Sequence, residues 1–135
     1  MMPSARKWVL LVDDDIDACD MLGAILEKRG VRARCLYTGS DAIALLDQLA
    51  STPDNLPALL MTDLLMPGIG GASLVRHVLR DRRLADVSTA VMTATPDFAP
   101  QGAIVFCKPI KMACVMDYVL AELDREKQAA RAASA

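Results

Sequence analysis

Five short apolar runs punctuate the chain: Trp8–Val12 (WVLLV), Arg32–Tyr37 (RARCLY), Ala58–Thr62 (ALLMT), Thr89–Ala94 (TAVMTA) and Ala103–Cys107 (AIVFC). Four of them lack strict alternation of apolar and polar positions, the pattern of strands covered on both faces of a parallel sheet. The second alternates more, which suits an edge strand. Between the runs, apolar residues recur at helical spacing. In Ile16–Arg29 they are Cys19, Leu22, Ile25 and Leu26, with Gly30 as a stop. In Ser40–Ala50 they are Ile43, Leu46 and Leu49 or Ala50, and after Gly71 they are Leu74, Val75, Val78 and Leu79. Arg76, Arg80, Arg82 and Arg83 fall largely outside that last stripe and read as a solvated face that an acidic partner would also fit. A final helix over Lys111–Lys127 repeats Met112, Val115, Met116, Val119, Leu120 and Leu123. Residues 128–135 (QAARAASA) are small and polar and are expected to form a flexible tail.

Strands alternating with helices predict an open α/β sheet with helices on both faces. One link breaks the rhythm. Between the fourth and fifth runs lies only TPDFAPQG, Thr95–Gly102, whose two prolines leave no room for a regular helix of three turns. The helix there is expected to be short or missing. No internal repeat or second domain is visible, and one domain over 7–127 is predicted.

Composition narrows the function classes. The chain has 135 residues, enough for a single substantial core, and its 15 basic and 17 acidic residues are interspersed, for a formal charge of −2. That balance argues against a dedicated nucleic-acid surface. No apolar run approaches the roughly 18 residues of a membrane span. The opening MMPSARKWVLLVDDD meets acids after about five apolar residues, too few for a secretory leader. Cys19, Cys35, Cys107 and Cys114 stand singly without a C-x-x-C, as reduced thiols of a cytoplasmic protein do.

In a sheet of this kind ligands bind beyond the carboxyl ends of the strands. Asp13, Asp14 and Asp15 follow the first strand, Asp63 the third, Thr93 lies near the end of the fourth, and Lys108-Pro109 follows the fifth. Three carboxylates in one cleft repel one another. A hard divalent cation relieves that repulsion, and an oxygen-rich site with few protein ligands suits Mg²⁺. Carboxylates, Mg²⁺, a hydroxyl and a lysine together suit a phosphoryl group. Each residue alone has a plainer reading: Asp15 caps a helix, Thr93 is a strand residue, Lys108 a solvated lysine. His77 reads as a surface or packing histidine, and Met112 and Met116 as helix core.

The stretches VLLVDDD, MTDLLMPGIGG, VMTAT and FCKPI resemble, in order and approximate spacing, the receiver domain of two-component response regulators, over about Lys7 to Lys127. The resemblance implies a flavodoxin-like fold, a five-stranded parallel sheet of order 2-1-3-4-5 with helices on both faces. It implies that Asp63 is the phosphoacceptor, taking a phosphoryl group from phosphohistidine on a sensor histidine kinase or histidine phosphotransfer protein. Mg²⁺ would be held by Asp14, by Asp13 directly or through water, by Asp63 and by the Leu65 backbone carbonyl. Thr93 would be the switch hydroxyl and Lys108 the partner of the carboxylate and then of the phosphate. The Lys108–Pro109 bond would be cis, and the side chains of Leu65 and Thr95 would flank the path of hydrolytic water. Such a protein is not a conventional enzyme, although it promotes its own phosphoryl transfer and dephosphorylation. With no output domain in view, it would signal as a single-domain regulator, through a downstream protein and without direct nucleic-acid contact or membrane insertion.

Two departures from the family pattern bear on output. Val105 stands where an aromatic usually precedes the lysine by three residues, and the Thr95–Gly102 segment is curtailed. Two other classes compete. A haloacid-dehalogenase-like phosphatase also uses D-x-D after its first strand, and DDDID holds two such patterns, but no late acidic pair follows Lys108 and DLLMPGIGG would have no role. A receiver-like interaction module that works without phosphate is the other alternative.

Overall fold

A computed structural model describes residues 8–134. Lys7, the first residue of the expected domain, and Ala135, the last of the expected tail, lie outside the described residues. The chain runs β1 (Trp8–Val12), α1 (Ile16–Lys28), β2 (Arg32–Leu36), α2 (Gly39–Leu49), β3 (Leu59–Asp63), α3 (Gly71–Arg80), β4 (Ser88–Thr93), β5 (Ile104–Cys107) and α4 (Met112–Ser134). The strands form one parallel sheet in the order β2-β1-β3-β4-β5, so the alternating β2 does lie at an edge.

Strand alternation splits the core into two layers. Leu10, Val12 and Leu60 point to one face, where Ala42 and Leu46 of α2 and Leu74 and Val78 of α3 cover them. Val9, Leu11, Leu59, Met61, Ala90 and Met92 point to the other, beneath Cys19 and Leu26 of α1 and Val115, Met116 and Val119 of α4. All five residues of β1 and all five of β3 are buried, which is why neither shows an alternating pattern. Each such leucine stabilises the fold by about 1.5–3 kcal/mol over leaving it exposed.

The termini of the helices follow their chemistry. Asp15 caps α1, its carboxylate accepting from the Ala18 N–H at 3.1 Å. Thr38 caps α2 by accepting from the Asp41 N–H at 3.0 Å. Between β4 and β5 there is only a single 3₁₀ turn, Pro96–Phe98, as two prolines in that segment require. The helix α4 reaches Ser134, well past Lys127, where the apolar spacing ends. Alanine, glutamine and arginine are strong helix formers and carry the backbone on without a core to face. The Lys108–Pro109 bond is cis.

Candidate functional site

Strand register builds the site. β1 pairs with β3 so that Val12 faces Thr62, which brings the next residues of each strand, Asp13 and Asp63, side by side. β3 pairs with β4 so that Asp63 faces Met92, and β4 with β5 so that Thr93 faces Cys107. Backbone bonds carry the alignment just beyond the strands: Asp13 N–H donates to Leu36 O at 3.1 Å, Leu64 N–H to Met92 O at 3.2 Å, and Lys108 N–H to Thr93 O at 2.8 Å. The acids, the hydroxyl and the lysine read from four separate strand ends therefore meet at the carboxyl end of the sheet.

Carboxylate oxygens of Asp13, Asp14 and Asp63 lie within 4.8 Å of one another. Lys108 Nζ donates to Asp63 Oδ1 at 2.7 Å. Asp13 and Asp63 are buried, and Asp14 is exposed. Burial raises the pKa of Asp13 above its ordinary 3.8, and the charges of Asp63 and Asp14 push the same way, against the Asp15 N–H and Lys108. The Asp15 N–H donates to Asp13 Oδ1 at 3.0 Å and holds that carboxylate turned into the cleft. Burial works against the Lys108 ammonium, but its hydrogen bond to Asp63 and the charges of Asp63, Asp13 and Asp14 outweigh it and raise the pKa above 10.5. One ammonium among three carboxylates leaves two negative charges uncompensated, and oxygen donors in that balance fit a hard divalent cation.

The sequence matches the response regulator receiver domain family over residues 9–106. The chain belongs to that family. Among related proteins, the DNA-binding response regulator MtrA of Mycolicibacterium smegmatis is 29% identical over 96 residues, which are 71% of this chain and 40% of MtrA. The DNA-binding dual master transcriptional regulator RpaA of Synechocystis is 31% identical over 86 residues, 64% of this chain and 33% of RpaA. This chain thus spans well under half of the curated relatives it matches first. Among solved structures, the signal receiver domain of a LuxO repressor protein from Vibrio parahaemolyticus superposes with a TM-score of 0.74 over 94% of this chain and 97% of that one, at 24% identity, a likeness of fold.

Within this receiver the remaining predicted residues fall as follows. Leu65 follows β3 two positions after Asp63 and is 67% exposed. Pro67 and Gly68, the latter at φ +74°, turn the chain away from Asp63; glycine enters that left-handed region without strain. The Thr93 hydroxyl is buried and turned toward Thr95, whose N–H donates to it at 2.9 Å and whose hydroxyl lies 3.0 Å away. Sequence reasoning gave Thr95 no such part, although T-x-T is the spacing at which a threonine hydroxyl accepts from the backbone two residues on. His77 lies outside the acidic cluster and meets Asp47 of α2 at 2.8 Å. Asp15 is committed to capping α1, so no phosphatase-like D-x-D pair is assembled from it, and the phosphatase alternative loses its support.

Proposed function

We propose that this receiver accepts a phosphoryl group on Asp63 from a phosphohistidine of a sensor histidine kinase or a histidine phosphotransfer protein. An Asp63 carboxylate oxygen forms the new bond to phosphorus as the phosphorus–nitrogen bond breaks, and the electron pair leaves with the imidazole. The observation that carries this reading is the 2.7 Å contact between Lys108 and Asp63 beside two further carboxylates. The ammonium orients the Asp63 carboxylate and offsets the charge that the incoming phosphoryl group brings. Asp13, Asp14, Asp63 and the Leu65 backbone carbonyl would hold Mg²⁺, which when bound supplies further positive charge to the phosphoryl oxygens. Thr93 exchanges its contacts with Thr95 for a phosphoryl oxygen, and a downstream protein reads the change. The protein then acts in the cytoplasm as a phosphorylated signalling element that also promotes loss of its own phosphoryl group. Among the described residues no helix is long and apolar enough to cross a membrane.

The test is intact mass after incubation with acetyl phosphate and Mg²⁺. One phosphate is expected on the natural chain and none on Asp63→Asn; equal labelling of that variant overturns the assignment. No labelling of either chain favours the module that works without phosphate. Separately, Asp14→Ala is expected to abolish Mg²⁺ binding in a calorimetric titration while circular dichroism stays unchanged, because Asp14 is exposed and the core does not depend on it. Retained affinity would move the metal elsewhere.

A further inference from the structure

Away from the acidic cleft, an open groove of about 680 Å³ lies between α2 and α3. Ile43 of α2 and Ile69 of the β3–α3 loop give it an apolar wall, and Arg76 and Arg80 of α3 with Arg82 of the following turn give it a basic one. The acids at this place are already engaged. Asp81 accepts the Arg83 N–H at 2.9 Å and its guanidinium at 3.1 and 2.7 Å, which lowers the Asp81 pKa. Asp47 meets His77 Nε2 at 2.8 Å and ties α2 to α3 across the groove. The guanidiniums of Arg76, Arg80 and Arg82 make no hydrogen bond or ion pair among the described residues.

Three exposed guanidiniums whose neighbouring acids, Asp47 and Asp81, are engaged by His77 and Arg83 mark a surface that is electrostatically incomplete. Like charges at i and i+4, as at Arg76 and Arg80, also destabilise a helix slightly. An anionic occupant relieves both. Nucleic acid suits the groove poorly, because the chain as a whole carries −2. A small phosphate-bearing ligand suits it no better, since all three arginines are exposed and no buried polar side chain fixes an orientation. Isoleucines beside guanidiniums match a protein segment with one apolar and one acidic side. We propose that the α2–α3 groove docks an acidic amphipathic segment of a partner protein, apolar side chains against Ile43 and Ile69 and carboxylates on Arg76, Arg80 and Arg82.

The proposal stands apart from Asp63 chemistry, so the unphosphorylated full chain tests it. Two helical peptides serve as probes: one with a leucine stripe flanked by glutamates, and the same peptide with glutamine in place of glutamate. Amide NMR titration of the ¹⁵N-labelled protein with the acidic peptide is expected to shift Ile43, Ile69 and Ser73–Arg82. Affinity is expected to fall with added salt. The triple variant Arg76→Gln, Arg80→Gln, Arg82→Gln is expected to bind roughly tenfold more weakly, the sum of a few rim ion pairs. Arg32→Gln with Arg34→Gln, at the β2 edge, is expected to change nothing. Absence of binding, equal binding of the neutral peptide or by the triple variant, or shifts elsewhere each overturns the proposal. Tighter occupation of the groove by a single-stranded oligonucleotide or by inorganic triphosphate overturns it too.

Discussion

Leu65 stands two positions beyond Asp63 with an exposed apolar side chain, while Thr95, two beyond Thr93, spends its hydroxyl and its N–H on Thr93 itself. Neither side chain is a carboxylate or carboxamide free to orient an attacking water, so a phosphoryl group on Asp63 is expected to be comparatively long-lived. Leu65→Asn would place a hydrogen-bonding group at an exposed site where substitution leaves the core untouched. One added hydrogen bond to that water is worth about 1 kcal/mol, or about a fivefold faster loss of phosphate, read as decay of phosphoprotein in intact mass. Slower decay would mean that water is not limited at this position. Asp13, Asp63, Thr93 and Lys108 were legible in the sequence as candidates because each stands at or next to the end of an apolar run. The bond from Thr95 to Thr93 was not, because a T-x-T at a strand end has many uses until the backbone conformation is known.

Helix α4 is clamped to the sheet at one point by charge as well as by its apolar stripe. Ser88, the first residue of β4, donates to the Glu122 carboxylate, and Arg125 reaches both Glu122 at 2.8 Å and Ser88 Oγ at 3.1 Å. Arg125, above all, and Ser88 hold the Glu122 pKa below its ordinary 4.5, against burial. A depressed carboxylate contributes stability that is present above its unfolded value and is lost as pH falls through the folded one. Glu122→Gln is therefore expected to lower Tm by a few degrees at neutral pH, for about 1 kcal/mol. The difference from the natural chain should shrink on the acid side of 4.5. A difference that persists undiminished in acid would assign the loss to packing. Sequence pattern placed every strand to within about one residue; in β1 and β3 burial on both faces leaves an unbroken apolar run, whereas the edge strand β5 carries such a run although it is only partly buried. The same logic hid the C-terminal turns of α4, whose exposed alanines and polar residues leave no periodicity to read. Sequence distance hid the Ser88–Glu122 clamp.

Across the molecule, two routes lead away from Asp63, and packing distinguishes them. The first runs through the β3–α3 loop toward the arginine groove. Here the backbone is interlocked: a Cβ on Gly71 would run into the carbonyl of Asp63, and one on Gly39 into the carbonyl of Ile69. The Gly71 N–H also donates to Leu64 O at 2.8 Å. Segments this close tolerate little displacement, since overpacking costs about 1–3 kcal/mol. The second route runs through Thr93, held by hydrogen bonds that can be exchanged for others at a net cost of about 1 kcal/mol. Beyond it lies a single 3₁₀ turn carrying Phe98 with 72% exposure, and no covering helix. The next strand offers no aromatic swing. Val105 is β-branched and stiff, and Phe106 is engaged edge-on with Tyr118 on the α4 side, ring centroids 5.5 Å apart. Phosphorylation is therefore expected to shift the population of the Thr95–Gly102 segment and to leave the α2–α3 groove nearly unchanged. Backbone NMR of the Mg²⁺ form, with and without beryllofluoride in place of the phosphoryl group, reads both routes at once. Shifts should extend from Asp63 and Thr93 through Thr95–Gly102, while the amides of Ile43 and Arg76 stay in place. A silent Thr95–Gly102 segment together with a responding outer surface of α4 would show that the change leaves by neither route.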